Sequence, residues 1–246
     1  MERWLTNKGL AGLWLLLGAS ALAIFAMANY TPLDLMLADW MFDFSRGQFT
    51  GQHVFFYDTV MHSYAKYLLL SVWLVLLVFA MLPGRLRPSW LSPAQQYRLR
   101  WVTALAIAHS SLVSWLKHQM PHACPWDITR YGGTSDWFPA FAAHTSQMAG
   151  HCFPAGHASS GLWLSALCLC WLPHHPRKAL AVMVAGLSVG FMLGWSQQLR
   201  GAHFLSHTLT SMWLICALLL CVLSFSSSHY LTRIQPNNAY SKRSYP

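Results

Sequence analysis

Apolar residues fall in six blocks of about membrane-helix length, separated by polar stretches of uneven length. The blocks run from about Leu10 to Ala28, Tyr64 to Leu82, Trp101 to Leu116, Ala158 to Leu172, Ala179 to Gln198 and Leu205 to Ser224. They predict an all-α integral membrane bundle of six transmembrane helices. The first block is long for a signal peptide and no small-x-small cleavage site clearly follows it, so it is read as a span. Residues 30–62 form a loop in which Leu33–Phe44 predicts a short interfacial helix. The second block stops at Pro83-Gly84, where the chain can no longer continue a helix. The longest polar loop, residues 117–156, separates helices three and four and is rich in His, Gly and Pro. The pattern predicts one domain over residues 1–225 and a polar tail over 226–246.

Composition agrees: 55% of residues are hydrophobic and 9% charged, against about 25% charged in soluble domains. The net charge of +9 would suit a nucleic-acid binder, but its distribution argues otherwise. Six spans put both termini on one side of the membrane. That side holds all the Lys and Arg residues except Arg46, Lys66, Lys117, Arg130 and Arg200. The positive-inside rule therefore makes the termini cytoplasmic. The excess charge is a topogenic signal, and no nucleic-acid partner is expected.

Topology then gathers chemistry. The 117–156 loop, His157, Arg200, His203 and His207 all fall on the non-cytoplasmic face, at the ends of spans three to six. Basic residues lie there without a topological reason, which suggests an anion site. His53, His62, His109, His174 and His229 read as structural or interfacial. His118, His122, His144 and His151 sit in the loop with no defined chemical context. No loop His pair is matched by a Cys pair, so no metal is expected. His203 and His207 are spaced i, i+4, which suits either a shared metal or one imidazole orienting the other. Cys168, Cys170, Cys216 and Cys221 lie in apolar blocks and read as packing residues.

Phosphoryl transfer to a histidine needs a nucleophilic imidazole, an acid for the leaving oxygen and donors for the equatorial oxygens. In Pro154-Ala155-Gly156-His157, Gly156 lets the backbone approach an anion, and the following helix start offers N–H groups. Lys117 and Arg200 supply charge. At these residues the chain resembles the type 2 phosphatidic acid phosphatase family, whose pattern is Lys-x6-Arg-Pro, Pro-Ser-Gly-His and Ser-Arg-x5-His-x3-Asp. Here the three parts read Lys117-x6-Cys124-Pro125, Pro154-Ala155-Gly156-His157 and Ser196-Gln197-x5-His203-x3-His207. The resemblance spans about residues 117–210.

The resemblance implies a lipid phosphatase or phosphotransferase in which His203 becomes phosphorylated, His157 protonates the leaving group and Lys117 holds phosphate oxygens, with no cofactor. It implies a phosphorylated lipid substrate among membrane lipids, reached from the periplasmic face of a bacterial inner membrane; oligomeric state is left open. Four positions depart from the pattern. Cys124 and Gln197 stand in place of arginines, Ala155 offers an N–H but no hydroxyl, and His207 stands in place of the orienting Asp. Arg130 and Arg200 are the candidate substitutes for the arginines, and Asp127 or His207 for the Asp. The alternative is an inactive relative that binds phosphorylated lipids. Cys124 and Cys152 could form a disulfide tying the first motif to the second, or stay reduced.

Overall fold

The computed structural model describes residues 4–141 and 150–225. His144, His229 and the predicted tail lie outside the described residues, as do Arg3, Arg233, Lys242 and Arg243. Among the described residues the α-helices are α1 (Asn7–Tyr30), α2 (Leu33–Met41), α3 (Ala65–Met81), α4 (Pro93–Gln119), α5 (Gly156–Leu162), α6 (Pro176–Leu199) and α7 (Leu205–Phe225). A π-helix, Phe56–Tyr64, runs directly into α3, and a 3-10 helix, Trp163–Cys170, continues α5. The fold is predominantly helical, as predicted, with one small correction. The expected Leu33–Phe44 helix stops at Met41, and Phe42–Asp43 (β1) pairs with Gln48–Phe49 (β2) in an antiparallel hairpin. The extended backbone turns Phe42 and Phe49 together onto the Tyr131 ring, with centroids 5.0 and 5.1 Å away.

Among the described residues four helices are long and apolar enough to cross a membrane: Asn7–Tyr30, Phe56–Met81, Pro176–Leu199 and Leu205–Phe225. The third and fourth predicted spans take different forms. Helix α4 begins at Pro93 rather than Trp101, because Ser92 and Gln95 form a capping box and Pro93 fits the first turn. Its first turns therefore carry Arg98 and Arg100. Each reaches across the fold: Arg98 donates from Nη1 to the Cys170 carbonyl at 3.2 Å and Arg100 from Nε to the Ala80 carbonyl at 2.9 Å. The fourth predicted span is divided between α5 and the 3-10 helix.

Close packing is carried by small residues on α6. A Cβ at Gly186 would overlap the Ser165 backbone, one at Gly190 would overlap Leu162, and one at Gly194 would overlap Thr208. Small residues one turn apart let helix backbones approach without a side chain between them. Helix α1 docks on α7, where Trp213 Nε1 donates to the Leu17 carbonyl at 3.0 Å. Trp73 on α3 donates to the Thr103 carbonyl of α4 at 3.3 Å.

The distribution of polarity is inverted relative to a water-soluble protein. Only 6% of the most apolar window is buried in α1, and the same holds for the Phe56–Met81 helix. Leu15, Leu22 and Leu68 point outward. Gln197, Gln198, His203, Ser206, His207, Thr208 and Ser211 are instead buried. Apolar outside and polar inside is the surface of a multi-pass membrane protein.

The polar end is covered by α2, the hairpin and the loop after α4, through a core of Met41, Phe42, Phe49, Ile128, Tyr131 and Phe204. Two contacts fix the turn between α6 and α7 beneath this cover. Gly201 adopts φ 78°, and a Cβ there would run into the Phe49 ring. Asp34 of α2 accepts the Ser206 N–H at 3.0 Å, capping α7 from outside its own chain segment.

Candidate active site

The Pro154–His157 turn is clamped onto α7. The Ala155 N–H donates to the His207 carbonyl at 3.1 Å, and Ser211 Oγ donates to the Ala155 carbonyl at 2.9 Å. This corrects one expectation: the Ala155 N–H is committed within the protein and does not face a phosphate. Gly156 begins α5 beside the end of α4, with the Lys117 ammonium 3.6 Å from where a Cβ would stand. A disulfide joins Cys124 to Cys152, so the loop segments on either side of the described gap are held together.

Lys117, Gly156 and His157 line a cavity of about 280 Å³ together with Lys66, Ser110, Ser114, Ser159 and Ser160. Two ammonium groups around one small space form an anion-binding environment, while the Ser159 and Ser160 hydroxyls donate to the Gly156 and His157 carbonyls. A second cavity, of about 350 Å³, shares Lys66, Ser110 and Ser160 with the first. Its remaining lining is mostly apolar: Leu70, Trp73, Ala106, Ile107 and Trp163, with Ser111.

His157 is held from the α3 side. Its ring stacks on His62, with centroids 3.9 Å apart, and its Nε2–H donates to the His62 carbonyl at 3.3 Å. His62 lies in the π-helix, a geometry frequent at functional sites. Arg200 donates from Nη1 to Gln197 Oε1 at 2.7 Å and to His62 Nδ1 at 2.9 Å, and from Nη2 to Asp58. Arginine can only donate, so His62 Nδ1 carries a lone pair and its proton sits on Nε2. Arg200 thus bonds the Gln197 side chain from one turn away, with both terminal nitrogens already partnered within the protein. Its Nε is buried and has no acceptor.

His203 lies in the α6–α7 turn at 5% exposure. Burial first, and then the charges of Lys117 and His157, hold its pKa well below the ordinary imidazole value. Lys117, His157 and His203 are therefore electrostatic neighbours, and His203 is a neutral imidazole at physiological pH. His203 Nδ1 is 3.4 Å from His207 Nδ1, and His207 Nε2 is 3.1 Å from His122 Nδ1. His122 Nε2 is 2.8 Å from the Phe138 carbonyl.

Arg130 is not brought to this site. Its Nε and Nη2 each donate at 2.7 Å to Asp39 of α2, a bidentate pair. That pairing lowers the Asp39 pKa, the hydrogen bonds from Arg130 being the main cause, and raises that of Arg130. The expected substitution of Arg130 for the missing motif arginine is therefore corrected: its fork is occupied by a carboxylate. Asp127 offers its backbone carbonyl to the Thr134 and Ser135 N–H groups, while His203 faces both His207 Nδ1 and the Cys152 backbone carbonyl. Cys152, His203 and His207 place one donor atom each within 4.8 Å of one another. The Cys152 sulfur belongs to the disulfide, so the group lacks the thiolate that would make it a zinc-type ligand set.

His62, Lys66 and His122 were not singled out by sequence reasoning. For Lys66 a signal existed, since it is a basic residue on the side where topology does not call for one. Comparison with known proteins agrees with the geometry. Residues 98–233 match the family model described as PAP2 superfamily. Neither the comparison with curated proteins nor that with solved structures found a match.

Proposed function

Because the chain belongs to the PAP2 superfamily, whose members are phosphatases acting on phosphate esters, we propose that it is a lipid phosphatase working through a phosphohistidine. The observation that carries this reading is the pair of neighbouring cavities that share Lys66, Ser110 and Ser160. A cationic, hydroxyl-lined pocket at His157 shares its wall with an apolar groove between α3 and α4. An amphiphile with a phosphate head and a hydrocarbon tail matches both halves.

In this reading the lone pair on His203 Nε2 attacks phosphorus as the bond to the lipid oxygen breaks. Lys117 and Lys66 bind the equatorial oxygens, with Arg200 Nε as a further donor. His157, entering as the imidazolium with Nε2–H on the His62 carbonyl, gives its Nδ1 proton to the departing alkoxide and recovers one from the water that attacks the phosphohistidine. Phosphate leaves and His203 is restored. A second lipid in place of that water would make the reaction a transfer. Substrate candidates are phosphatidic acid, phosphatidylglycerol phosphate, undecaprenyl diphosphate and the lipid A phosphates.

The reading extends to topology. Helix α4, with 27 residues, is about 40 Å long at 1.5 Å per residue. The α5 and 3-10 segments, with 7 and 8 residues, add to about 27 Å. Both suit a hydrocarbon core of about 30 Å, giving six spans with cytoplasmic termini. The Cys124–Cys152 bridge suits an oxidising compartment, so the site faces the periplasm of a bacterial inner membrane.

The test is phosphate release from a panel of lipid phosphates by purified protein in detergent. Wild type should release phosphate from at least one lipid, with His203→Ala and His157→Ala each slower by roughly a thousandfold or more. Release by the variants at the wild-type rate would overturn the assignment. The Gln197 and Ala155 departures favour one other reading, a non-catalytic binder, which predicts lipid-phosphate binding with no release.

A further inference from the structure

Among the described residues no carboxylate is bonded to His203, the proposed nucleophile, and the histidines around it supply an answer. A backbone carbonyl can only accept a hydrogen bond. The 2.8 Å contact to the Phe138 carbonyl therefore puts the His122 proton on Nε2 and a lone pair on Nδ1. The opposite tautomer would donate from Nδ1 to the Ala123 carbonyl at 3.1 Å. It would also set two lone pairs against each other across the shorter contact. With Nδ1 of His122 an acceptor, the His207 proton belongs on Nε2 at 3.1 Å, while the Cys152 backbone carbonyl lies against the rings of both His203 and His207. His207 Nδ1 is then a lone pair, and it faces His203 Nδ1 at 3.4 Å. His203 is left with its proton on Nδ1 and its lone pair on Nε2.

We propose that His122 is a positioning residue for His203, acting through His207, in a three-imidazole relay that takes the place of an orienting carboxylate. The inference rests on the phosphatase reading for its consequence, but not for its geometry. Both relay members are buried, His207 at 0% and His122 at 3% exposure. The His122 ring is gripped edge-to-face by Phe138 and Phe204, with centroids at 5.0 and 5.8 Å. As Nε2 of His203 bonds to phosphorus, its ring becomes cationic and donates more strongly from Nδ1. The aligned dipoles of His207 and His122 receive that polarisation without any proton leaving the chain. A buried carboxylate would do this with a full charge that must be desolvated; the relay does it with neutral groups.

Two measurements test the relay. Nitrogen-15 NMR of histidine-labelled protein in detergent, assigned with single-histidine variants, reads the tautomers directly. Wild type should show His203 protonated at Nδ1 and His207 at Nε2. His203 protonated at Nε2 in wild type would overturn the relay whatever the variants do. Kinetics with the best lipid phosphate then read its effect. His122→Leu should lower kcat roughly a hundredfold with KM little changed. His122→Asn, whose amide oxygen stands near the lost Nδ1, should recover most of that rate. In a His207→Asp background, where a carboxylate meets His203 directly, His122→Leu should cost little. Equal losses from His122→Leu in both backgrounds, in proteins of equal melting temperature, would show His122 to be mere packing. If wild type releases phosphate from no lipid, the phosphatase reading fails and the wild-type tautomers alone decide the relay.

Discussion

At the scale of single residues, the site is built from groups whose protons are already placed. His203 is the clearest case, since its burial keeps it neutral. A neutral buried histidine has a folded pKa below its unfolded value, so the unfolded chain binds the extra proton first. Stability from this group is complete above the ordinary value of 6.5 and is lost as pH falls below it towards the folded pKa. Thermal unfolding in detergent should therefore show a melting temperature that declines below about pH 6.5, with a shallower decline in His203→Gln. An unchanged slope would mean that His203 is not buried as a neutral ring. The two arginines separate on the same grounds. Arg200→Ala removes the donor that holds His62 under His157 and should cut turnover severely. Arg130→Ala breaks a half-exposed pair with Asp39, which should cost about 1 kcal/mol of stability or less and leave turnover nearly intact. Comparing the specific activities of the two purified variants separates them; a severe loss in Arg130→Ala would put its guanidinium in the site after all.

At the scale of elements, the question is what holds separate pieces in register. The π-helix presents His62, α4 ends on Lys117, α5 begins with Gly156-His157, and α7 is capped by Asp34. The loop strands between α4 and α5 are tied by Cys124–Cys152, 28 residues apart. Closing a loop of that size is worth about 3–4 kcal/mol in the chain-entropy model. Reduction of the native protein, or Cys124→Ala with Cys152→Ala, should lower the melting temperature and the specific activity together, because Cys152 adjoins His203. Full activity after verified reduction would confine the bridge to stability. Much of this scale was legible in the sequence. The order Lys117, Gly156-His157, His203 with its spacing marked a candidate site before any fold was known, and Pro93 behind Ser92 carried a helix-start signal. His62 and His122 were not legible, because their roles lie in contacts with His157, Arg200 and His207, far along the chain. Nor was the pairing of Arg130 with Asp39, since a loop arginine carries no local mark of which carboxylate it will meet.

At the scale of the whole molecule, hydropathy blocks led directly to the long helices, because bilayer thickness is written into span length. The two segments that depart from that rule are α4, with arginines in its first turns, and the divided α5 and 3-10 segment. These are also the segments that carry Lys117, Ser110, His157 and Ser160. Function and plain hydropathy compete for the same positions, so the site blurs the signal around it. The apolar groove beside Lys66, Ser110 and Ser160 has one further consequence. On the proposed lipid-phosphatase reading, a substrate held there by its tail never leaves the bilayer to react, so encounter is a two-dimensional search. Rate then follows the fraction of lipid molecules that are substrate, not the amount per volume of solution. Diluting the membrane with inert lipid slows such a reaction, while diluting the whole suspension with buffer does not. In the proposed hydrolysis only one product, inorganic phosphate, crosses into water, and the lipid product stays in the sheet where it was made.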